Sequence, residues 1–251
     1  MKNKIFIKEN TEIIEYDLKP VDLKRQLTNG NLLITKKSLD AKIKIEDNCI
    51  LQDVKIMLNG NNNRLIIEEG AELIDCSIYA GGDNNYIYIG KNCKFKGTHI
   101  MCCDDDNSII IEDETTVNGE FWGNTVLHTM EKTKIEIGKD CMLSGNIVIR
   151  TTDGHAIINE NGERINMPKD IKIDCHVWIG MNCMILKGSN LAKGCIIGAN
   201  SVVTHSFNNS YTIIGGNPAK EISKQVNIDW NRKKGFDFTP SDYRNNTNEN
   251  I

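Results

Sequence analysis

The amino-acid sequence predicts an all-β fold, a left-handed parallel β-helix, on three observations. Ile173, Ile179, Ile185, Leu191, Ile197 and Val203 place a branched aliphatic at every sixth residue. Each is followed four residues later by Val177, Cys183, Ser189, Cys195, Ser201 and Phe207, mostly small side chains that let the chain turn a corner. Ile45, Ile67, Ile89 and Ile111 recur at an interval of 22 residues, and each opens a further run of hexads. Stacked hexads of this kind form a triangular coil of three short strands, with the aliphatics pointing into the prism.

Taken in order, residues 1–40 carry no clear hexads and are expected to cap the open end of the solenoid, as such folds require. The β-helix spans residues 41–222. Its first coils read Ile45, Leu51, Met57; Ile67, Leu73, Tyr79; Ile89, Phe95, Met101; and Ile111, Val117 as inward positions. Four extra residues per coil fall at one corner, where Asn63, Asn85 and Asn107 follow Asn62, Asn84 and Asp106. Asn and Asp tolerate left-handed backbone and bond their own main chain, so a stacked ladder of like turns is expected there. Asp104, Asp105 and Asp106 admit a second reading as a calcium site, although the neighbouring coils offer mainly Asn and Gly. Between Ile149 and Ile173 the hexads break, so residues 151–172 must leave the prism as an extended loop. The repeat resumes and stops beyond Lys220. In the C-terminal segment 223–251, Trp230 and Phe236 suit packing back on the coil or on a neighbour, whereas Asn245 to Ile251 reads as a disordered polar tail.

The chain has 251 residues, 39% of them apolar, and one solenoid fills it. A net charge of −4 leaves no basic stripe for a phosphate backbone, which excludes nucleic acid as the expected partner. No apolar run approaches the length of a membrane span and the N-terminus lacks a signal pattern, so a cytoplasmic protein is expected. Of nine cysteines, Cys49, Cys93, Cys141, Cys183 and Cys195 occupy small corner positions, where they act as compact apolar residues. Cys102, Cys103 and Cys175 lack the paired spacing of a zinc site, and no metal is expected.

Catalytic groups are commonly carried on loops projecting from rigid scaffolds. His155 opens the 151–172 loop beside the last regular strand, where its position can be fixed; by itself it reads more readily as a solvated surface histidine. Trp178 must point outward because Ile179 points inward. An aromatic displayed in this way has a ligand or a neighbouring subunit as its expected partner.

Four words carry a family resemblance: Ile149-Arg150-Thr151-Thr152-Asp153-Gly154-His155, His176-Val177-Trp178-Ile179-Gly180, Ile185-Leu186-Lys187-Gly188 and Gly215-Gly216-Asn217-Pro218-Ala219-Lys220. The run from about Ile135 to Ser223 resembles bacterial hexapeptide acetyltransferases, and most closely the O-acetyltransferases of capsular and other surface polysaccharides. The resemblance implies acetyl-CoA as co-substrate, a sugar or polysaccharide acceptor, and a homotrimer with active sites between adjacent prisms. It makes His155 the catalytic base and sets Trp178 beside the thioester arm. Coenzyme A contacts are implied at Gly180, Lys187, Gly198, Ala199, Ser201, His205, Asn217, Pro218, Ala219 and Lys220. His128, Arg150 and Asp153 are candidates for the acceptor side. Asn200 stands where the family often has glycine, and His205 where it often has lysine, so phosphate binding is expected to lean on Lys220 or Lys187.

The implied chemistry is direct transfer, with neutral His155 taking the proton of an acceptor hydroxyl as it attacks the thioester. Asp153 or Glu163 could orient the imidazole, and Asp153 could equally cap its turn. Cys141 and Ser144 have no evident paired base and are poor nucleophiles. His99 is read as a corner residue and His176 as a turn residue. Two other enzymatic readings share the fold: N-acetylation of a nucleotide-linked amino sugar, and acetylation of a small xenobiotic. A non-enzymatic reading is a β-helical scaffold with a degenerate site, which the intact His155, Trp178 and Asn217 to Lys220 disfavour. Coenzyme A release with candidate glycans separates the classes.

Overall fold

Burial alternates along most strands of the computed structural model, which describes residues 14–18, 23–26, 32–36, 41–119, 123–223 and 229–232. Within the coils the short strands pair in parallel with those one coil further on, and the pairings assemble three sheets of eight, nine and nine strands. These are the faces of a left-handed parallel β-helix. The first face includes Lys134–Ile137 and Ile171–Ile173, the second Met142–Leu143 and Trp178–Ile179, and the third Thr125–Thr129, Val148–Arg150 and Met184–Leu186. No helix of the described residues is long and apolar enough to cross a membrane.

The parallel ladders end in reversed strands. Ile14–Leu18 runs antiparallel to Ala41–Ile45, and Leu23–Gln26 antiparallel to Leu32–Lys36. At the other end Ile213–Gly216 and Ala219–Glu221 are antiparallel. The rest of the 1–40 segment, Phe236 and the 245–251 tail lie outside the described residues.

Ile173, Ile179, Ile185, Leu191 and Ile197 are all buried in the core, and the corner residues Val177, Cys183, Ser189, Cys195 and Ser201 are buried with them. The hexad reading of the earlier coils needs one correction. On the third face the inward residues are Ile56, Ile78 and Ile100, while Met57, Tyr79 and Met101 are only half-buried and point outward. The step from Leu51 to Ile56 is one residue short of a hexad, and the following strand is longer, so it buries Leu58 as well. His99 is likewise a strand residue; Thr98, fully buried, holds the corner. The cysteines behave as small apolar residues: all nine are free, and burial pushes the thiols of Cys93, Cys102 and Cys141 up to about 12. A thiol so protonated cannot serve as a nucleophile near neutral pH.

The asparagine corner is a continuous hydrogen-bonded ladder. Asn63 Oδ1 accepts the backbone N–H of Asn85 at 2.9 Å, Asn85 Oδ1 accepts that of Asn107 at 3.0 Å, and Asn107 Oδ1 accepts that of Thr133 at 3.1 Å. Asn62, Asn84 and Asp106 precede them with φ of 54°, 60° and 60°, the left-handed region in which Asn and Asp cost least. The acidic triplet belongs to this corner. Asp104 accepts the Glu131 N–H and an Asn107 side-chain N–H, Asp105 accepts the Asp83 N–H, and Asp106 meets Asn84 and Lys132. Among the described residues no group of three or more His, Cys, Asp or Glu could hold a metal ion.

Candidate functional site

The ladder leads to the foot of the loop. Thr133 Oγ1 lies 2.5 Å from Thr151 Oγ1, and the Thr151 carbonyl accepts the Lys169 N–H at 3.0 Å, drawing the two ends of the excursion together. Thr151 and Thr152 are both buried. Beyond them the chain turns at Gly154 and doubles back through a hairpin, with an antiparallel bridge between Ile158 and Arg164.

Polar contacts pin the hairpin to the prism. Arg164 donates to both carboxylate oxygens of Glu131, whose Oε1 also accepts the Thr152 hydroxyl at 2.5 Å. Hydrogen bonds from Arg164 and Thr152 hold the Glu131 carboxyl down at about 2. Glu131 is in turn fixed by Asp104, whose two oxygens accept its N–H at 2.8 and 3.0 Å. Lys187, from the next coil, donates to Asp153 Oδ2 at 2.5 Å and to the Asn166 carbonyl at 3.1 Å. With Asn166 as a second donor to the same oxygen, the Asp153 carboxyl lies below the usual carboxylate range. Arg150 Nε bonds the Thr152 carbonyl at 2.8 Å. The result is an exposed His155 on a segment whose ends are tied at several points.

These contacts define the partners of several expected site residues. Lys187, expected at the cofactor phosphates, is engaged with the loop. Asp153 faces Lys187 and Asn166, and Glu163 accepts the Asn159 side-chain N–H at 3.0 Å, so the bonds of both candidate orienting carboxylates lie with other partners. His128 is paired in register with Arg150 one coil on, and its Nε2 lies 3.1 Å from Cys103 Sγ. Burial first, then the Arg150 charge, lowers its pKa and favours neutral imidazole.

Trp178 stands on the second face, stacked in register between Met142 and Ile196, whereas His155 leaves the third face. One chain therefore does not bring the two onto the same face. Trp178 does have a neighbour of its own: the ring of Trp230, 6.4 Å away and tilted by 53°. Trp230 is buried, stacks on His176 at 4.2 Å, and donates its indole N–H to the His176 carbonyl at 2.8 Å. His176 Nδ1 and Nε2 meet Asp140 and Asp229 at 2.6 and 2.9 Å. Arg232 finishes this clasp with bonds to Asp140, Thr116 and the carbonyls of Glu114 and Cys141. Residues 229–232 thus pack back on their own coil, and His176 is a structural corner with φ of 58°. The Trp178 indole nitrogen is buried with no hydrogen-bond partner among the described residues.

The final coils combine packing residues with an exposed edge. Gly180 is packed against the next coil: a Cβ there would lie 2.7 Å from the Ala199 nitrogen. Ser201 is buried, donating to the Gly198 carbonyl at 2.6 Å and accepting the Gly216 N–H at 3.1 Å. Asn200 has φ of 60°, which explains how it replaces glycine, and its Oδ1 accepts from Asn182 at 3.2 Å. Ala199, His205, Asn217, Pro218 and Lys220 are exposed, while Ala219 is buried. His205 packs its ring 4.5 Å from Phe207.

Glu131, Arg164, Asn166 and the Asp229 to Arg232 clasp were not singled out from the sequence, apart from Trp230. Their partners lie at long separations, such as 33 residues for Glu131 and Arg164, and no hexad phase marks them.

Residues 170–205 match the family of bacterial transferase hexapeptide repeats (six repeats). A polysialic acid O-acetyltransferase of Neisseria meningitidis is 34% identical over 160 residues, which is 63% of this chain and 72% of the relative. A polysialic acid O-acetyltransferase of Escherichia coli O1:K1 / APEC is 38% identical over 157 residues, 62% of this chain and 48% of that protein. The solved structure of the polysialic acid O-acetyltransferase OatWY matches with a TM-score of 0.76 at 34% identity, covering 83% of this chain and 95% of that one.

Proposed function

We propose a specific reaction for a chain that belongs to the hexapeptide-repeat acetyltransferases, in the branch of the polysaccharide O-acetyltransferases: transfer of an acetyl group from acetyl-CoA to a sugar hydroxyl of a bacterial capsular or other surface polysaccharide. The observation that carries it is an exposed histidine on a loop tied at both feet, in a chain that resembles polysialic acid O-acetyltransferases over most of its length.

His155, as neutral imidazole, takes the proton from the acceptor hydroxyl while that oxygen attacks the thioester carbonyl. Backbone N–H groups hold the oxyanion of the tetrahedral intermediate, which collapses to the acetyl ester and expels coenzyme A. A thiol with a reference pKa of about 8.5 is a good leaving group, so strong acid assistance is unnecessary. Trp178 lines the thioester arm, and the exposed edge at Ala199, Asn217 and Lys220 takes the rest of the cofactor. His128 and Arg150, adjacent on the third face, border the acceptor.

Because His155 and Trp178 lie on different faces of one prism, the complete site is assigned to adjacent copies in a homotrimer. The loop supports this arrangement: Ile157, Ile158, Ile165 and Met167 are 54%, 54%, 62% and 56% exposed, an apolar surface suited to a neighbouring copy. Nine free thiols fit action in the reducing cytoplasm. The test is incubation with acetyl-CoA and a panel of purified capsular polysaccharides, polysialic acid among them, with the thiol release and the acetylated glycan both measured. Acetyl ester on a polysaccharide is the expected product. Acetylation of an amino sugar nucleotide alone, or a monomer active at full rate, would overturn the proposal or its shared site.

A further inference from the structure

The group that holds a catalytic imidazole in place is ordinarily sought among nearby carboxylates. Here Asp153 faces Lys187, Glu131 faces Arg164 and Glu163 faces Asn159, and among the described residues none is hydrogen-bonded to the His155 ring. The residue that does hold His155 is Asn166. Its Nδ2 donates to the His155 carbonyl at 2.8 Å and to Asp153 Oδ2 at 2.7 Å. Its Oδ1 accepts the Ile157 N–H at 2.7 Å and Arg164 Nε at 3.3 Å. All the donors and acceptors of this one amide are therefore engaged, and the residue is 9% exposed on a hairpin that is otherwise mostly open to solvent.

The pattern of contacts fixes geometry as well as location. Asn166 grips the chain on both sides of Ala156, at the carbonyl of His155 and the N–H of Ile157, and so defines the backbone from which the imidazole projects. It also joins the returning strand of the hairpin to the outgoing one, through Asp153 and Lys187 on one side and Arg164 and Glu131 on the other. Asp cannot replace it, because a carboxylate has no N–H for the His155 carbonyl, and Ala removes every side-chain contact.

We propose that Asn166 is the positioning residue of His155, acting through the main chain rather than through the imidazole. This rests on the reading of His155 as the base. Displacement of a general base by about 1 Å can cost about 100-fold in rate, so Asn166→Ala and Asn166→Asp should each lower kcat by about 10- to 100-fold while leaving the KM for acetyl-CoA near its wild-type value. The coil should melt unchanged, because the loop stands outside the prism.

The experiment is a double-mutant cycle on thiol release from acetyl-CoA with polysialic acid, or with whichever purified capsular polysaccharide the wild-type protein acetylates. Asn166→Ala and Asn166→Asp are measured alone and in a His155→Ala background. A loss in the wild-type background that vanishes in the His155→Ala background supports positioning. An equal loss in both backgrounds overturns it, since Asn166 would then act on the loop generally. Wild-type kcat in both Asn166 variants, with His155→Ala dead, overturns positioning alone. Full activity of His155→Ala overturns the base assignment and this role with it. Should Asn166→Ala fold poorly, the near-isosteric Asn166→Asp carries the same comparison.

Discussion

Truncating one rung of the asparagine ladder should weaken the solenoid by an amount the geometry fixes. Asn85 is 1% exposed and makes two side-chain hydrogen bonds, from Nδ2 to the Gly82 carbonyl at 3.0 Å and to Oδ1 from the Asn107 N–H at 3.0 Å. In Asn85→Ala the Gly82 carbonyl keeps the Nδ2 of Asn63 at 2.8 Å as a donor, whereas the Asn107 N–H loses its acceptor inside the corner. A buried donor left unpaired costs about 1–3 kcal/mol, and the second bond about 1 kcal/mol more. The expected loss is therefore about 2–4 kcal/mol, read as a lower urea midpoint. Hydrogen exchange localises the effect, because the Asn107 amide should lose protection while the core amides of the last coils do not. By comparison, Asn84→Gly retains a residue suited to a φ of 60° and should change stability little. An Asn85→Ala protein within 0.5 kcal/mol of wild type, with the Asn107 amide still protected, would refute the ladder as a source of stability.

Three further outcomes follow from the site. His155→Ala should lower turnover by about 10²–10⁴ through loss of the base, with an unchanged melting curve; retained activity there together with a dead His176→Ala would move the base to the corner before Trp178. The Glu131 carboxyl has a folded value of about 2 against an ordinary 4.5, so its contribution is fully present above 4.5 and is lost as pH falls toward 2. Limited proteolysis should accordingly cut within residues 153–165 at acid pH before the prism opens, and Glu131→Gln should expose the same sites at neutral pH; protection of the loop in both would refute the anchor. Arg232→Ala removes four bonds that hold the C-terminal clasp, so Trp230 should leave the His176 ring and the tryptophan fluorescence should shift to longer wavelength; an unshifted spectrum would show that stacking alone keeps it docked.

The prism was legible because its determinants repeat. A core that takes one side chain per short strand writes Ile173, Ile179, Ile185 and Leu191 at a fixed period, and identical corners write Asn63, Asn85 and Asn107 at another. Where a coil departs from the period the hexad phase falls one residue out, on Met57, Tyr79 and Met101 in place of the inward Ile56, Ile78 and Ile100. Burial and strand alternation arbitrate such slips, since a one-residue shift exchanges the faces of a strand. The loop could be located from the break in the hexads, but not its internal order, because nothing periodic links Glu131 to Arg164 or Asn166 to His155. Nor does the sequence show that Lys187, which the resemblance places near the cofactor phosphates, pairs with Asp153 across 34 residues. The connection between the two levels is physical rather than statistical. The asparagine corner passes from Asn107 through Thr133 to Thr151, and Asp104 in that same corner fixes Glu131, so the repeat that stabilises the scaffold also sets the foot and the anchor of the segment bearing His155.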